Sequence, residues 1–283
     1  MTMLKGGIDT HIHSAPSIIK RPFDDIELAQ AAGRPGMKGI ALKAHESCSA
    51  GRAYLAEKVT GIKVYGGICL NHSVGGLNPE TVETSLKMGG HFVWMPTINA
   101  ENHRAFFSSP EGKELGFPME GRGEGITISD SYGKIKTEVR QIIDLIAQYD
   151  AVLATGHLGL DEVIKMVDEV QDYKSIRLII THPDINFISI PLDVQKKMAD
   201  AGVFLEKSYN LHLPPCSAST IKETAYGIKY LGCEHCILSS DLGQMGNPSP
   251  VEGMEVFVRG LLENGLTEQD IIRMWVKNPA YLC

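Results

Sequence analysis

Short apolar runs alternate with longer amphipathic segments along almost the whole chain. The short runs are rich in β-branched residues and too short for helices, which is typical of buried strands. Eight strands are predicted, at Gly7–His13, Lys38–His45, Lys63–Leu70, His91–Thr97, Ala151–His157, Arg177–His182, Val203–Lys207 and Cys236–Asp241. A segment with apolar residues at helical spacing follows each run, so the chain repeats the order of strand then helix.

The helical segments carry the end signals that helices need. Asn78-Pro79 supplies an N-cap with Pro at the first helical position, and Gly89, Gly202, Gly232 and Gly265 close helices. The predicted helices are Phe23–Ala32, Arg52–Thr60, Pro79–Met88, Thr137–Tyr149, Asp161–Tyr173, Leu192–Ala201, Thr220–Leu231 and Val251–Asn264, with a last one that opens at Thr267.

Alternating strands and helices imply a parallel sheet with right-handed crossovers, and eight such units close most naturally as a (β/α)8 TIM barrel. An open doubly wound sheet is the alternative, but no Gly-x-Gly-x-x-Gly motif follows the first strand. The 283 residues suit a single barrel domain over 1–283, because about 250 residues are typical of this fold. Catalytic groups are then expected at the carboxyl ends of the strands.

The spacing of the strands is irregular only between the fourth and the fifth. Residues 99–136 lie there and are rich in Gly and Pro, so we predict an irregular inserted segment that leaves from the carboxyl end of a strand. We expect it to cover the barrel mouth and to help select the substrate. Arg104, Lys113 and Arg122 within it either meet an anionic substrate or are solvated surface charges.

Composition and charge narrow the classes of function. The chain is 43% hydrophobic and 22% charged, as in ordinary globular proteins, and its net charge of −7 argues against a nucleic-acid partner. No apolar run has the length of a membrane helix and no secretory leader precedes Asp9, so we expect a cytoplasmic protein with a small-molecule substrate and no membrane partner.

The six Cys, including the Cys233 and Cys236 pair, are expected to be reduced thiols. A homo-oligomer is the default expectation.

Histidines collect at the predicted carboxyl ends of the strands. The first strand ends with His11 and His13, whose side chains point the same way because strand side chains alternate with period two. His157, His182 and Asp241 end the fifth, sixth and eighth strands. A single His beside an apolar run is commonly a hydrogen-bonded core residue, but five candidate ligands from four strands predict a metal site.

These motifs resemble those of the amidohydrolase superfamily of metal-dependent hydrolases, and the resemblance spans nearly the whole chain. It is carried by Asp9-Thr-His11-Ile-His13, Thr155-Gly-His157-Leu, Thr181-His182-Pro, Ser240-Asp241 and the closing Lys277-Asn278-Pro279-Ala280. It implies that His11, His13 and Asp241 hold one metal, that His157 and His182 hold a second, and that Asp241 shuttles a proton. Zinc is the first choice of metal, with one or two ions per chain; manganese, nickel and iron are alternatives.

The fourth strand departs from the pattern of this superfamily. Binuclear relatives carry a bridging carboxylated Lys or a Glu at its end, whereas this chain reads Phe92-Val-Trp94-Met95-Pro96-Thr97. Either one metal binds or another group bridges two. The second strand offers Lys43 and His45 on one face, and we take both as candidate catalytic residues beside Asp241. Lys43 is a metal bridge, a substrate anchor or the ion-pair partner of Glu206.

Other polar residues keep two interpretations each. Asp9 is a buried hydrogen-bonded carboxylate or orients a ligand; Glu206 and Lys207 form a structural pair or contact substrate; His72 and His103 touch substrate or solvent; His91, His212 and His235 are expected to be structural.

The predicted ligands favour a metal-dependent hydrolase that uses metal-activated water on a small carbonyl or phosphorus ester, amide or lactone. Asp241 would act first as general base and then as general acid. Two alternatives stay open. The missing bridge is compatible with a mononuclear decarboxylase, hydratase or isomerase. A non-catalytic metal-binding barrel is the other, although the chain offers more ligands than a tetrahedral site uses.

Overall fold

The computed structural model describes residues 3–116 and 123–283. All eight predicted strands are present, and the third is divided in two. The strands are β1 (Ile8–Ile12), β2 (Gly39–Leu42), β3 (Lys63–Tyr65), β4 (Gly67–Cys69), β5 (Phe92–Trp94), β6 (Val152–Ala154), β7 (Arg177–Ile180), β8 (Phe204–Ser208) and β9 (Cys236–Ser239).

Helices follow the strands as the sequence predicts, with two more in the inserted segment. They are α1 (Asp25–Gly33), α2 (Ala50–Thr60), α3 (Pro79–Lys87), α4 (Glu101–Ser108), α5 (Pro110–Glu114), α6 (Thr137–Gln148), α7 (Leu160–Val170), α8 (Leu192–Asp200), α9 (Ile221–Leu231), α10 (Pro250–Glu263), α11 (Glu268–Ile272) and α12 (Asn278–Leu282). The Asn78 side chain accepts hydrogen bonds from the N–H groups of Glu80 and Thr81, which confirms the predicted cap.

Neighbouring strands are parallel and pair in chain order, β1-β2-β3 in one sheet and β4 to β9 in another. The last strand returns to the first, because the His13 N–H donates to the Leu242 carbonyl at 2.8 Å and the Asp241 N–H donates to the His11 carbonyl at 2.9 Å. The strands therefore follow one another around a ring. This arrangement confirms the (β/α)8 architecture over an open doubly wound sheet.

The division between β3 and β4 occurs where the start of α2 packs against the sheet. The buried Ser49 hydroxyl donates to the Leu42 carbonyl at 2.7 Å and accepts from the Gly67 N–H at 2.9 Å. A Cβ atom at Gly66 would lie 2.6 Å from the Ala50 Cα, so only glycine fits beside this helix start. Ser49 thus satisfies ladder groups that the neighbouring strand would otherwise pair.

The strand side chains alternate between two cores. Phe92 and Trp94 of β5 face the barrel interior, whereas Val93 between them joins the larger core that strands and helices share. Trp275 is fully buried in that larger core, in a π-helical turn at Arg273–Lys277 between α11 and α12, and its indole N–H donates to the Leu4 carbonyl at 3.2 Å. A Cβ at Gly7 would lie 1.7 Å from the same nitrogen, so position 7 requires glycine.

The inserted segment starts with structure that the Gly and Pro content did not predict. Helices α4 and α5 occupy its first half, and His103 and Phe107 of α4 are buried. Arg122 lies outside the described residues, as do the other positions of 117–122. The expectation that this segment covers the mouth therefore stays a prediction, supported by the position of α4.

All six cysteines are free thiols, as expected. Within the described ranges, no helix combines the length and the apolar character of a membrane span.

Candidate metal centre

The polar residues at the carboxyl ends of the strands are buried together. At the end of β1, Ile12 packs into the outer core, and the rings of His11 and His13 on either side of it have centroids 5.1 Å apart. The predicted ligands and catalytic candidates are each at most 6% exposed: His11, His13, Lys43, His45, His157, His182 and Asp241. Most of them line one cavity of about 90 Å³.

The orientation of the His11 ring is fixed by Glu206, which reaches in from β8. The His11 Nδ1 lies 2.9 Å from the Glu206 Oε1. Burial alone would raise the pKa of Glu206, but the facing imidazoles of His11 and His182 lower it to about 2. The ionised carboxylate accepts the Nδ1 proton, so Nε2 is the nitrogen of His11 that can offer a lone pair. That nitrogen is buried without a hydrogen-bond partner among the described residues.

The orientation of the His13 ring is fixed by the backbone of β2. Its Nδ1 lies 2.8 Å from the Lys43 carbonyl oxygen, which can only accept, so Nδ1 carries the proton. Burial lowers the pKa of His13 to about 3, which leaves the ring neutral and its Nε2 unprotonated at pH 7. Both first-strand histidines therefore turn a lone pair toward the same side.

Both lone pairs meet one carboxylate oxygen. The Asp241 Oδ1 lies 3.1 Å from the His11 Nε2 and 3.0 Å from the His13 Nε2. Burial alone would raise the pKa of Asp241, but the facing His11, His182 and His13 hold it well below its usual range. Lone pairs of two nitrogens and an ionised oxygen at these distances repel one another unless a proton or a metal cation lies among them. The donor set fits a divalent metal.

His182 belongs to a second group of potential ligands with His11 and Glu206. Its Nε2 lies 3.7 Å from the Asp241 Oδ2, and its Nδ1 lies 3.4 Å from both the Ser208 hydroxyl and the Glu206 Oε2. Burial lowers the pKa of His182 to about 4. His182 thus lies beside the group of His11, His13 and Asp241, and it faces Oδ2 of Asp241, whereas His11 and His13 face Oδ1.

His157 lies outside both groups and has a partner that the sequence did not predict. Its Nδ1 is 2.9 Å from the Nδ1 of His103 on α4. Burial lowers the pKa of His157 well below its usual range and that of His103 to about 3, so one neutral ring donates and the other accepts. Only the Nε2 of His157 is left for a metal or a substrate. The expectation that His157 and His182 share a second metal stays a prediction.

The second-strand candidates face the same cavity without joining either ligand group. The His45 Nδ1 lies 2.9 Å from the Thr97 hydroxyl. The Lys43 Nζ is buried without a hydrogen-bond partner in the described part of the chain, 6.0 Å from the centroid of the Trp94 ring. Glu206 is occupied by His11, His182 and Ser239, so the ion pair considered for Lys43 is not formed.

The remaining candidates separate by strand alternation. Glu206 faces the histidines, whereas Lys207 turns outward and binds the Asp184 carboxylate at 2.7 Å, so the two do not pair with each other. Asp9 accepts from the Ser240 N–H at 3.0 Å, and burial raises its pKa to about 7. His72 is exposed and bonds the Glu124 carbonyl.

His91 and His212 each bond a carbonyl, and His235 lies beside Glu234, all three apart from the cavity.

Backbone conformation at the strand ends sets the direction of two of these side chains. His182 and Asp241 have φ values of 49° and 50°, in the left-handed region that non-glycine residues rarely adopt. Such strain costs about 1 kcal/mol or more and persists where surrounding contacts fix it. Gly243 also has a positive φ of 128°, and a Cβ there would lie 1.9 Å from the His13 carbonyl. The turn after β9 is therefore built around the candidate metal ligands.

Comparison with known proteins identifies a sequence family and a fold. The sequence model of a family of unknown function, DUF6282, matches residues 6–206. No curated protein matches the sequence. Solved structures match over almost the full chain at low identity, which shows the fold alone.

An amidohydrolase from Pseudomonas aeruginosa has a TM-score of 0.67 at 12% identity, with 99% of this chain and 96% of that chain covered. A probable 2-pyrone-4,6-dicarboxylic acid hydrolase from Acinetobacter baumannii has a TM-score of 0.59 at 12% identity, with 98% of each chain covered. A 2,6-dihydroxybenzoate decarboxylase from Rhizobium has a TM-score of 0.53 at 10% identity, again with 98% of each covered. The barrel fold expected from the resemblance to amidohydrolases is confirmed.

Proposed function

The chain belongs to the DUF6282 family, whose function is unknown, and we propose that it is a metal-dependent enzyme that hydrolyses a small ester, amide or lactone. One observation carries the proposal. The Nε2 atoms of His11 and His13 converge on the Asp241 Oδ1 at 3.1 Å and 3.0 Å, while their Nδ1 atoms are held by acceptors. Such a set of lone pairs is a ligand set for a cation.

Two imidazoles and a carboxylate suit zinc first, with manganese, nickel and iron as alternatives. A divalent cation bound there would supply Lewis acidity and lower the pKa of a water molecule from about 15.7 toward about 7. His11 and His13 are held for this purpose by Glu206 and by the Lys43 carbonyl. Both acceptors thus hold the rings in the orientation that a metal at Nε2 would need.

The residues around the ligands would handle protons and exclude solvent. The Asp241 Oδ2 accepts a hydrogen bond from the Asn210 amide at 3.1 Å and faces the His182 Nε2, so it is placed to take a proton from water and return it to a leaving group. Phe107, Ile185 and Phe187 form the apolar part of the cavity wall. They keep bulk water away from the reacting atoms.

A decarboxylase is the second candidate, and the end of β5 is compatible with it. The Thr97 hydroxyl bonds to His45 and Asn71, and Met95 is buried. The end of β5 therefore offers no carboxylate at the position where binuclear relatives have their bridging group. A mononuclear centre suits both reactions, and the solved structures of this fold include a hydrolase and a decarboxylase by name. A barrel that only stores metal is the third candidate. A small-molecule substrate, a cytoplasmic location and a homo-oligomeric state are also retained as proposals.

The test is the metal content of protein purified without added metal and of protein remetallated with zinc, manganese, nickel or iron. We expect about one equivalent per chain in the wild type and in the exposed control Asp172→Asn, and much less in Asp241→Asn with an unchanged circular dichroism spectrum. Metal-loaded protein is then assayed for acid release from esters, amides and lactones, and for CO₂ release from aromatic acids.

The outcomes separate the candidates. Hydrolysis that is lost with the metal supports the first proposal, and CO₂ release supports the second. Two equivalents per chain would assign His157 and His182 to a second ion. A wild type that takes up no metal under any of these conditions overturns the proposal.

A further inference from the structure

Two cationic side chains line the cavity above the strand ends. Its charged lining residues are Arg21, Lys43 and Asp241, two cations against one anion. The other polar lining groups include five histidines, and protonation of any of them would add positive charge. A divalent cation held at Asp241 would add more. Glu206 and Glu46 act on these cations through space, so the contacts of Lys43 and Arg21 decide whether either can bind an anion.

Lys43 is the cation without a matching partner. Its side chain is 2% exposed, and its Nζ has no hydrogen-bond partner within the described ranges. Glu206, the ion-pair partner considered for Lys43, contacts His11 and Ser239 through Oε1 and turns Oε2 toward His182. Glu46 is also buried without a hydrogen-bond partner among the described residues, but it forms no ion pair with Lys43 there. Burying an unpaired ammonium group costs several kcal/mol, so such a group is expected to have a ligand when the protein functions.

Arg21 stands in the same wall with its donors only partly used. Its Nη1 donates to the Gly243 carbonyl at 3.4 Å, and its buried Nε has no partner among the described residues. Asp241 and Glu46 act on Arg21 through space, so its charge is partly balanced. Lys43 is therefore the principal anion-binding group, and Arg21 is the second.

We propose that the substrate carries a carboxylate group that binds the Lys43 ammonium, with Arg21 as a second donor. The substrate class rests on the proposed function, because the reacting bond would then lie between this anchor and Asp241. The cavity of about 90 Å³ suits a small acid.

The experiment compares acetate with acetamide, which has the same shape and no charge. Each is titrated into metal-loaded wild type, Lys43→Met, Lys43→Arg and Lys38→Met, and binding is followed by the NMR line width of the ligand methyl group. Lys38 is the matched control, since it is exposed at the opposite end of the same strand. We expect acetate to bind wild type, Lys38→Met and Lys43→Arg, and to bind Lys43→Met about tenfold or more weakly.

The same titration on chelator-treated protein separates this proposal from the proposed function. Lys43-dependent acetate binding without metal supports the anchor even if no metal-dependent reaction is found. Equal binding of acetate to wild type and Lys43→Met, or of acetate and acetamide to wild type, overturns it. Loss of metal from Lys43→Met also overturns it, because Lys43 would then be part of the metal centre.

Stability gives a further readout that a structural lysine would not give. Replacing an unpaired buried ammonium by an apolar side chain of similar shape should raise the free energy of unfolding in Lys43→Met. A loss of stability in that variant, without a change in acetate binding, would assign Lys43 to the core instead.

Discussion

A histidine can offer a lone pair to a cation only when its other nitrogen holds the proton. Glu206 and the Lys43 carbonyl impose that condition on His11 and His13, respectively. One of these acceptors is a side chain and the other is backbone. Only the Glu206 side chain can be removed by substitution, so a Glu206 variant tests whether this acceptor fixes the tautomer of His11.

Glu206→Gln is expected to weaken metal binding by about 10- to 100-fold, because the neutral amide no longer fixes the His11 tautomer with a full charge. The measurement is a competition titration with a chromophoric chelator at neutral pH. Glu263→Gln, an exposed residue at the end of α10, is the control. An unchanged affinity in Glu206→Gln would mean that Glu206 has no part in orienting His11.

The sequence predicts the members of this site better than their partners. His11, His13 and Asp241 could be placed together because strand period and barrel topology fix where strand ends meet. The contacts of Glu206 and His103 could not, since each depends on the side-chain direction of a residue distant in the chain. The sequence did contain a signal for Glu206, because strand alternation with period two puts Glu206 and Lys207 on opposite faces of the strand.

At the scale of the element, the pleat of each strand determines which residues reach the site and which reach the helices. The eight strands and the main helices could be predicted because their apolar periodicities differ. The division at Gly66 could not, because it arises from a contact with α2 that local sequence does not show. The helices of the inserted segment were hidden by its Gly and Pro content, which describes residues 123–136 better than it describes α4 and α5.

Ser49→Ala should lower the free energy of unfolding by about 1 to 3 kcal/mol, because the buried Gly67 N–H and the Leu42 carbonyl both lose their hydroxyl partner. Urea denaturation followed by circular dichroism measures the change. Ser73→Ala, at an exposed position, controls for the loss of a serine. Equal midpoints for the two variants would show that the strand division does not depend on the Ser49 side chain.

At the scale of the whole molecule, the two ends of the chain are joined through one side chain. Trp275 comes from the π-helical turn near the carboxyl terminus, yet it bonds the Leu4 carbonyl and occupies the space that a side chain at Gly7 would need. The first strand, which carries His11 and His13, is therefore supported by the last helical segment.

Trp275→Ala is expected to lower the free energy of unfolding by about 3 to 5 kcal/mol, the cost of a large cavity in a packed core. Tyr226→Ala removes an aromatic side chain that is 67% exposed and should have little effect. Denaturant unfolding of both variants gives the comparison. A cost below about 1 kcal/mol for Trp275→Ala would mean that the chain ends are not coupled in this way.

The contact between His103 and His157 bears on how this protein can diversify. Barrels of this kind change specificity by exchanging loops while the strands stay constant. Here the exchangeable segment contributes an imidazole that occupies one nitrogen of a strand-end histidine. A chimera that receives a foreign segment after β5 would inherit a different proton arrangement at His157 as well as a different pocket wall. New substrates and new proton chemistry would then arise in a single recombination event.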